Sequence, residues 1–183
     1  IVLLTAELVC GAEKQVIDIF SPVMQRTLKA AVLLPQSYAD GELRYPVIYF
    51  LHGYQKNHAV WPHVAALDRY VDRYDFIAVC PSGGAASWYL DSPEDKDSRF
   101  ETHIVKEVVP AVDSLFRTHA TRRGRALIGS SMGGHGALTL LARHPGHFDG
   151  AASISGIMDL SAFPGQWEID RVLGSFRANT ARW

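Results

Sequence analysis

Arg125-Ala126-Leu127-Ile128-Gly129-Ser130-Ser131-Met132-Gly133-Gly134-His135-Gly136-Ala137-Leu138 is an apolar run that breaks at a glycine-spaced serine and resumes with helical periodicity. Arg125 to Ser130 reads as a short buried strand. Downstream, Ala137, Leu138, Leu140 and Leu141 keep to helical spacing until Arg143-His144-Pro145-Gly146, a basic last turn followed by proline and glycine. A serine forced onto so sharp a strand-to-helix corner takes a strained backbone and leaves no room for side chains two positions away. Gly129 and Gly133 remove that clash, so the run predicts a nucleophile elbow with Ser131 at its tip.

Outward from the elbow, strands and helices alternate. Gln15 to Phe20 and Leu28 to Leu34 read as strands joined by a turn around Ser21-Pro22, an antiparallel entry to the sheet. Tyr45 to Leu51 and Phe76 to Cys80 are nearly continuous apolar runs, the pattern of parallel strands buried on both faces. Trp61 to Tyr70 has helix-compatible spacing. Phe100, Ile104, Val105, Val108, Val112 and Leu115 mark a long amphipathic helix, in which Pro110 predicts a kink or a break into two helices. Gly150 to Ile154 reads as a strand whose outer edge is unpaired, an invitation to homo-oligomerise or to pair with the remaining segment, and Trp167 to Leu173 as a helix. Ser92 to Ser98 is a polar connection. The alternation predicts an α/β three-layer sandwich with a mostly parallel sheet.

Composition narrows the function by exclusion. With 183 residues, 48% of them hydrophobic, the chain can bury a sizeable core, and residues 13–183 read as one domain. A formal net charge of −1 gives no electrostatic footprint for nucleic acid or an anionic membrane surface. No run approaches the roughly 20 apolar residues of a membrane helix. Of the two cysteines, Cys10 and Cys80, the second closes an apolar run and reads as a buried inert thiol, so no disulfide framework is expected. Zinc-site spacing, a phosphate loop and a dinucleotide fingerprint are all missing, and no cofactor or metal is implied. The chemistry falls to side chains, and the eight histidines offer candidate general bases. Residues 1–12 read either as the tail of a secretory signal, whose apolar core Glu7 interrupts, or as an edge strand. The first reading predicts a periplasmic or extracellular protein; the second leaves a cytoplasmic one open.

A second motif, Leu51-His52-Gly53-Tyr54, stands where the third strand ends. Acyl transfer to a serine needs two preorganised N–H donors for the developing oxyanion, one after the nucleophile and one from the loop after the third strand. The Met132 and Tyr54 amides fill those places, with Gly53 letting the backbone turn inward. His52 reads as fixing the loop by hydrogen bonding rather than as the base. Trp61, Trp88, Tyr89 and Trp167 are candidate pocket residues, since aromatic faces suit sugar rings, aromatic acyl groups and acyl chains.

The elbow, Leu51-His52-Gly53-Tyr54, the pair Trp88-Tyr89 followed by Asp91-Ser92, and the helix starting near Phe100-Glu101-Thr102 together resemble the esterase D family of α/β-hydrolases. That family includes S-formylglutathione hydrolases, short-chain acyl esterases, feruloyl and acetylxylan esterases, and mycolyltransferases. The resemblance implies an α/β-hydrolase sandwich, Ser131 as nucleophile and the Tyr54 and Met132 amides as oxyanion hole. Trp88 and Tyr89, which lie in the resembling motif, are expected to bind substrate. The form of the His52-Gly53-Tyr54 loop leans away from a cytosolic glutathione-thioester hydrolase and toward an exported esterase.

One departure stands out. In α/β-hydrolases the triad runs Ser, then Asp or Glu, then His, whereas the last histidine after Ser131 is His147 and the first acid is Asp149. His135, His144 and His147 read as structural or solvent-facing. The expectation is a C-terminally incomplete hydrolase domain, its triad Asp and His and last strands lying beyond residue 183. Without a base the serine is a poor nucleophile, so this stretch alone is expected to be nearly inactive. The whole enzyme is expected to be a serine carboxylic ester hydrolase acting through an acyl-enzyme on short acyl or carbohydrate-linked esters. A mycolyltransferase-type acyltransferase and a non-catalytic protein of the same fold are the alternatives.

Overall fold

The apolar runs pair into one sheet. In the computed structural model, which describes residues 12–39, 41–64 and 66–183, β1 (Glu13–Ser21) and β2 (Arg26–Leu34) form an antiparallel hairpin. β2 pairs antiparallel with β4 (Ile77–Pro81), and from there β3 (Val47–Leu51), β5 (Arg125–Ser130) and β6 (Gly150–Ile154) continue in parallel. The strand order is β1-β2-β4-β3-β5-β6, the mostly parallel sheet with an antiparallel entry that the sequence implies. The two readings of residues 1–11, and Cys10 with them, lie outside the described residues.

Alternation along the central strands splits their side chains between two cores. Val47, Tyr49 and Leu51 of β3, with Ile77 and Val79 of β4, pack into the larger one. Phe50, Ala78 and Cys80 turn to the other face. The larger core is closed by a helical run from Phe100 to Leu115 and by α4 (Met132–Arg143); the smaller is closed by α1 (Leu67–Tyr74) through Leu67 and Val71. Each such fully buried aliphatic side chain contributes about 1.5–3 kcal/mol relative to exposure. Burial pushes the Cys80 thiol well above its ordinary pKa, which fits the inert reading.

Two helical expectations are refined by the structure. Of the kink or break expected at Pro110, the break does not occur. The chain runs as α2 (Phe100–Thr102), a π-helical stretch (His103–Val108) and α3 (Val109–Leu115) without interruption. Widening the turns just ahead of the proline accommodates its missing N–H and its ring without parting the two halves. The second refinement concerns Trp61 to Tyr70, where a 3-10 turn (Trp61–His63) precedes α1 and Ala66 takes a left-handed φ of 71° as α1's N-cap. Near the C-terminus, α5 (Ile169–Leu173) follows a turn in which Trp167 and Glu168 both have positive φ, 48° and 58°.

Among the described residues β6 pairs only with β5, and Ile154 on it is 51% exposed. Ile154, Ile48 and Ile128 share an apolar groove of about 330 Å3 with Val64, Tyr70 and Tyr74 of the α1 region. No helix among the described residues is long and apolar enough to cross a membrane.

Candidate active site

Ser131 stands between the end of β5 and the start of α4 with φ 55° and ψ −119°. These angles belong to the first central position of a type II′ turn, a place that glycine ordinarily fills. The corner is held from both sides. The Ser131 N–H donates to the Ile154 carbonyl of β6 at 2.8 Å, and the His135 N–H donates to the Ser131 carbonyl at 3.0 Å, starting α4. A β-carbon at Gly129 would overlap the Gly133 carbonyl and lie 2.7 Å from the Gly134 nitrogen. One at Gly133 would overlap the Leu51 carbonyl and lie 2.7 Å from that of His52. The glycine spacing read from the sequence is therefore a packing requirement between the elbow and the end of β3.

The loop after β3 comes to the same place. A β-carbon at Gly53 would sit 3.5 Å from that of Ser131. His52 is 1% exposed and holds this loop through both ring nitrogens: Nδ1–H donates to the Gly53 carbonyl at 2.9 Å, and Nε2 accepts the Gly83 N–H at 2.9 Å. That tautomer is assigned from the two partners. Burial lowers the His52 pKa and keeps the ring neutral, as an acceptor of an amide proton must be. His52 is thus a strut of the loop, as its place in the motif suggests. The Tyr54 amide and the Met132 amide, the latter in the first turn of α4 where a helix has no internal acceptor to offer, make no hydrogen bond among the described residues.

Ser131 opens on a cleft of about 450 Å3, lined also by Tyr54, Lys56, Val60, Trp61, Val64 and Trp167. Trp61 and Trp167 are where the sequence reading puts them, at a pocket. Trp88 and Tyr89 are not. Expected as substrate-binding residues, they are 1% and 0% exposed and line no part of this cleft. Both take positive φ, 55° and 57°, which turns the pair inward beneath the site. There Tyr89 donates its phenol to the His52 carbonyl at 3.1 Å, and the Trp88 indole N–H donates to the Trp167 carbonyl at 3.2 Å. One residue supports the loop of Tyr54, the other the turn that carries Trp167. Lys56, Val60 and Val64 escaped the sequence reading, although they directly follow Gly53-Tyr54 in the chain; their proximity to that motif was the available signal.

Histidines elsewhere have other employment. His135 bonds the Ile157 carbonyl through Nδ1 at 2.8 Å and Thr139 through Nε2 at 3.3 Å, His144 bonds Glu101 at 2.8 Å, and His103 bonds Glu107 at 2.6 Å. Among the described residues, no histidine side chain hydrogen-bonds the Ser131 hydroxyl. Glu168, across the cleft mouth, accepts the Tyr54 phenol at 3.0 Å and pairs with Arg171 at 3.0 Å; the first of these bonds is the main reason the Tyr54 pKa lies above its ordinary value.

Comparison with known proteins agrees with this geometry. The chain is similar to Esterase Rv1288 of Mycobacterium tuberculosis, 36% identical over 129 residues that make up 68% of this chain and 28% of that protein. It is similar to the diacylglycerol acyltransferase/mycolyltransferase Ag85A of the same organism, 26% identical over 173 residues, 90% of this chain and 49% of that one. The chain thus spans half or less of the length of these relatives. Among solved structures, a ferulic acid esterase superposes with a TM-score of 0.77 at 27% identity, covering 93% of this chain and 68% of its own. The family described as Putative esterase matches residues 21–183, and with the elbow, the paired loop and the mostly parallel sheet this places the chain in that family of α/β-hydrolase-fold proteins.

Proposed function

We propose that the chain carries the nucleophile and oxyanion hole of a serine carboxylic ester hydrolase acting on short acyl or carbohydrate-linked esters. The observation that carries this reading is Ser131 in a glycine-type backbone conformation, at a cleft, beside the Gly53-Tyr54 loop. The Ser131 Oγ attacks the ester carbonyl carbon, and the Tyr54 and Met132 amides receive the charge that moves onto the carbonyl oxygen. Each such donor is worth about 3 kcal/mol at the transition state. The carbon–alkoxide bond breaks, the serine proton passes through a base to the departing alcohol, and the acyl group stays on Oγ. Water then attacks the acyl-enzyme, and the base returns a proton to Oγ as the acid leaves. No histidine side chain among the described residues hydrogen-bonds the Ser131 hydroxyl, and we assign the base and its acid to residues outside those described.

Two measurements test this reading. Hydrolysis of p-nitrophenyl acetate by the 183-residue chain is expected to be barely above background; robust turnover that disappears in Ser131→Ala would place a base within the chain and overturn that part of the reading. Mass spectrometry after treatment with a fluorophosphonate, on a form that includes the missing base, is expected to find one adduct on Ser131. An adduct elsewhere, or none, counts against the nucleophile assignment.

The similarity to Ag85A favours one second reading, in which the acyl-enzyme is discharged onto a sugar hydroxyl rather than water. Product analysis with an alcohol acceptor present separates the two, since a transferase forms the new ester in preference to the free acid. We further propose that, in the 183-residue chain, the β6 edge left unpaired among the described residues, with the apolar groove beside it, drives association. Light scattering is expected to detect dimers or larger species that grow with concentration, and a monodisperse monomer argues against it.

A further inference from the structure

Lys56 is the one charged side chain lining the Ser131 cleft among the described residues; its neighbours there include Tyr54, Val60, Trp61, Val64 and Trp167. Its ammonium makes no hydrogen bond or ion pair with any described residue. The acid closest at hand on the Tyr54 side, Glu168, is already committed to the Tyr54 phenol and to Arg171. The Ser131 end of the cleft adds donors of the same sign as Lys56. Ser131 caps the N-terminal, positive end of the twelve-residue α4, and the Tyr54 and Met132 amides have their hydrogens free of protein acceptors. The site therefore has a positive field and an apolar, aromatic wall, with no counter-ion of its own.

A neutral ester leaves that cation to water and gains nothing from it. An ester bearing a carboxylate supplies the missing partner; Lys56 is exposed, so the pair forms on the solvent-facing side of the cleft and is weakened by salt. Resting on the esterase reading above, we propose that Lys56 selects esters carrying a carboxylate on the arm that runs past Tyr54. The oxyanion amides handle the charge made during reaction, and Lys56 handles a charge the substrate brings with it.

Binding tests this without turnover. In a Ser131→Ala background, ligand-observed NMR titrations compare monoethyl succinate with ethyl butyrate, where the charge lies on the acyl arm, and 4-carboxyphenyl acetate with phenyl acetate, where it lies on the alcohol arm. In at least one pair the anionic ester is expected to bind about fivefold tighter at low salt, the upper range for an exposed ion pair. The pair that responds identifies the arm. The advantage should vanish in Lys56→Met, persist in Lys56→Arg, and shrink at about 1 M salt, where the Debye length falls to roughly 3 Å. Equal binding within both pairs, or an advantage that survives Lys56→Met, overturns the role of Lys56 and leaves the esterase reading standing. Failure of all four esters to bind overturns both.

Discussion

Ser131→Gly is expected to raise the melting temperature while removing the proposed nucleophile. An L-residue at φ 55°, ψ −119° holds its β-carbon against its own backbone, a strain of about 1–3 kcal/mol at sites of this type. Glycine adopts these angles freely but loses about 0.5–1 kcal/mol through the greater freedom of its unfolded chain. The net gain is about 1 kcal/mol, or roughly 2–4 °C for a domain of this size. Ser131→Ala keeps the β-carbon and hence the strain, so its melting temperature should stay within a degree or so of the parent, and it serves as the control. Both substitutions abolish acyl-enzyme formation; in a complete triad the loss of the nucleophile amounts to about 10⁶-fold in turnover. Calorimetry of the three proteins decides. If glycine fails to stabilise relative to alanine, the corner is not strained, and the conformation that singles out Ser131 carries no functional weight.

What the sequence made legible is what short-range chemistry dictates. The elbow could be read because Gly129 answers a clash with Gly133 and Gly134 within the elbow itself, and the hairpin because Ser21-Pro22 punctuates two apolar runs. The central strands could be read because Val47, Tyr49 and Leu51 on one face and Phe50 on the other need two cores. What stayed hidden depends on partners far along the chain. The fixing of His52 requires Gly83, 31 residues away, and the burial of Trp88 requires a turn at Trp167, 79 residues away. Trp88 and Tyr89 were misplaced for a further reason. Nothing in Ser87-Trp88-Tyr89 announces two successive positive φ values, and an aromatic side chain looks the same in sequence whether it lines a cleft or lies under one. The response to Pro110 was equally out of reach, because a missing N–H predicts a disturbance in the helix, while packing on both flanks decides that the disturbance is a π stretch and not a break.

Gly133→Ala is expected to be among the most damaging single methyl groups that can be added near the site. Its β-carbon would overlap the Leu51 carbonyl oxygen and press on that of His52, and neither neighbour has room to yield. Leu51 ends β3, which is paired on one side with β4 and on the other with β5. The start of α4 cannot lift away, because the Ser131 N–H is tied to Ile154 and the His135 N–H to Ser131. Backbone on both sides of the clash leaves no flexible side chain to absorb it, so the loss should exceed about 4 kcal/mol, a size that single substitutions reach only through overpacking or comparable mechanisms. The variant is expected to be insoluble or to unfold near room temperature in a circular-dichroism melt. Gly150→Ala is the matched control, since a β-carbon there meets nothing within 4 Å, and it should melt within a few degrees of the parent. A Gly133→Ala protein that folds and melts like the control would mean that the helix and the end of β3 lie further apart than their carbonyl contacts indicate. The proposed oxyanion loop and the proposed nucleophile would then lose the packing that brings them together.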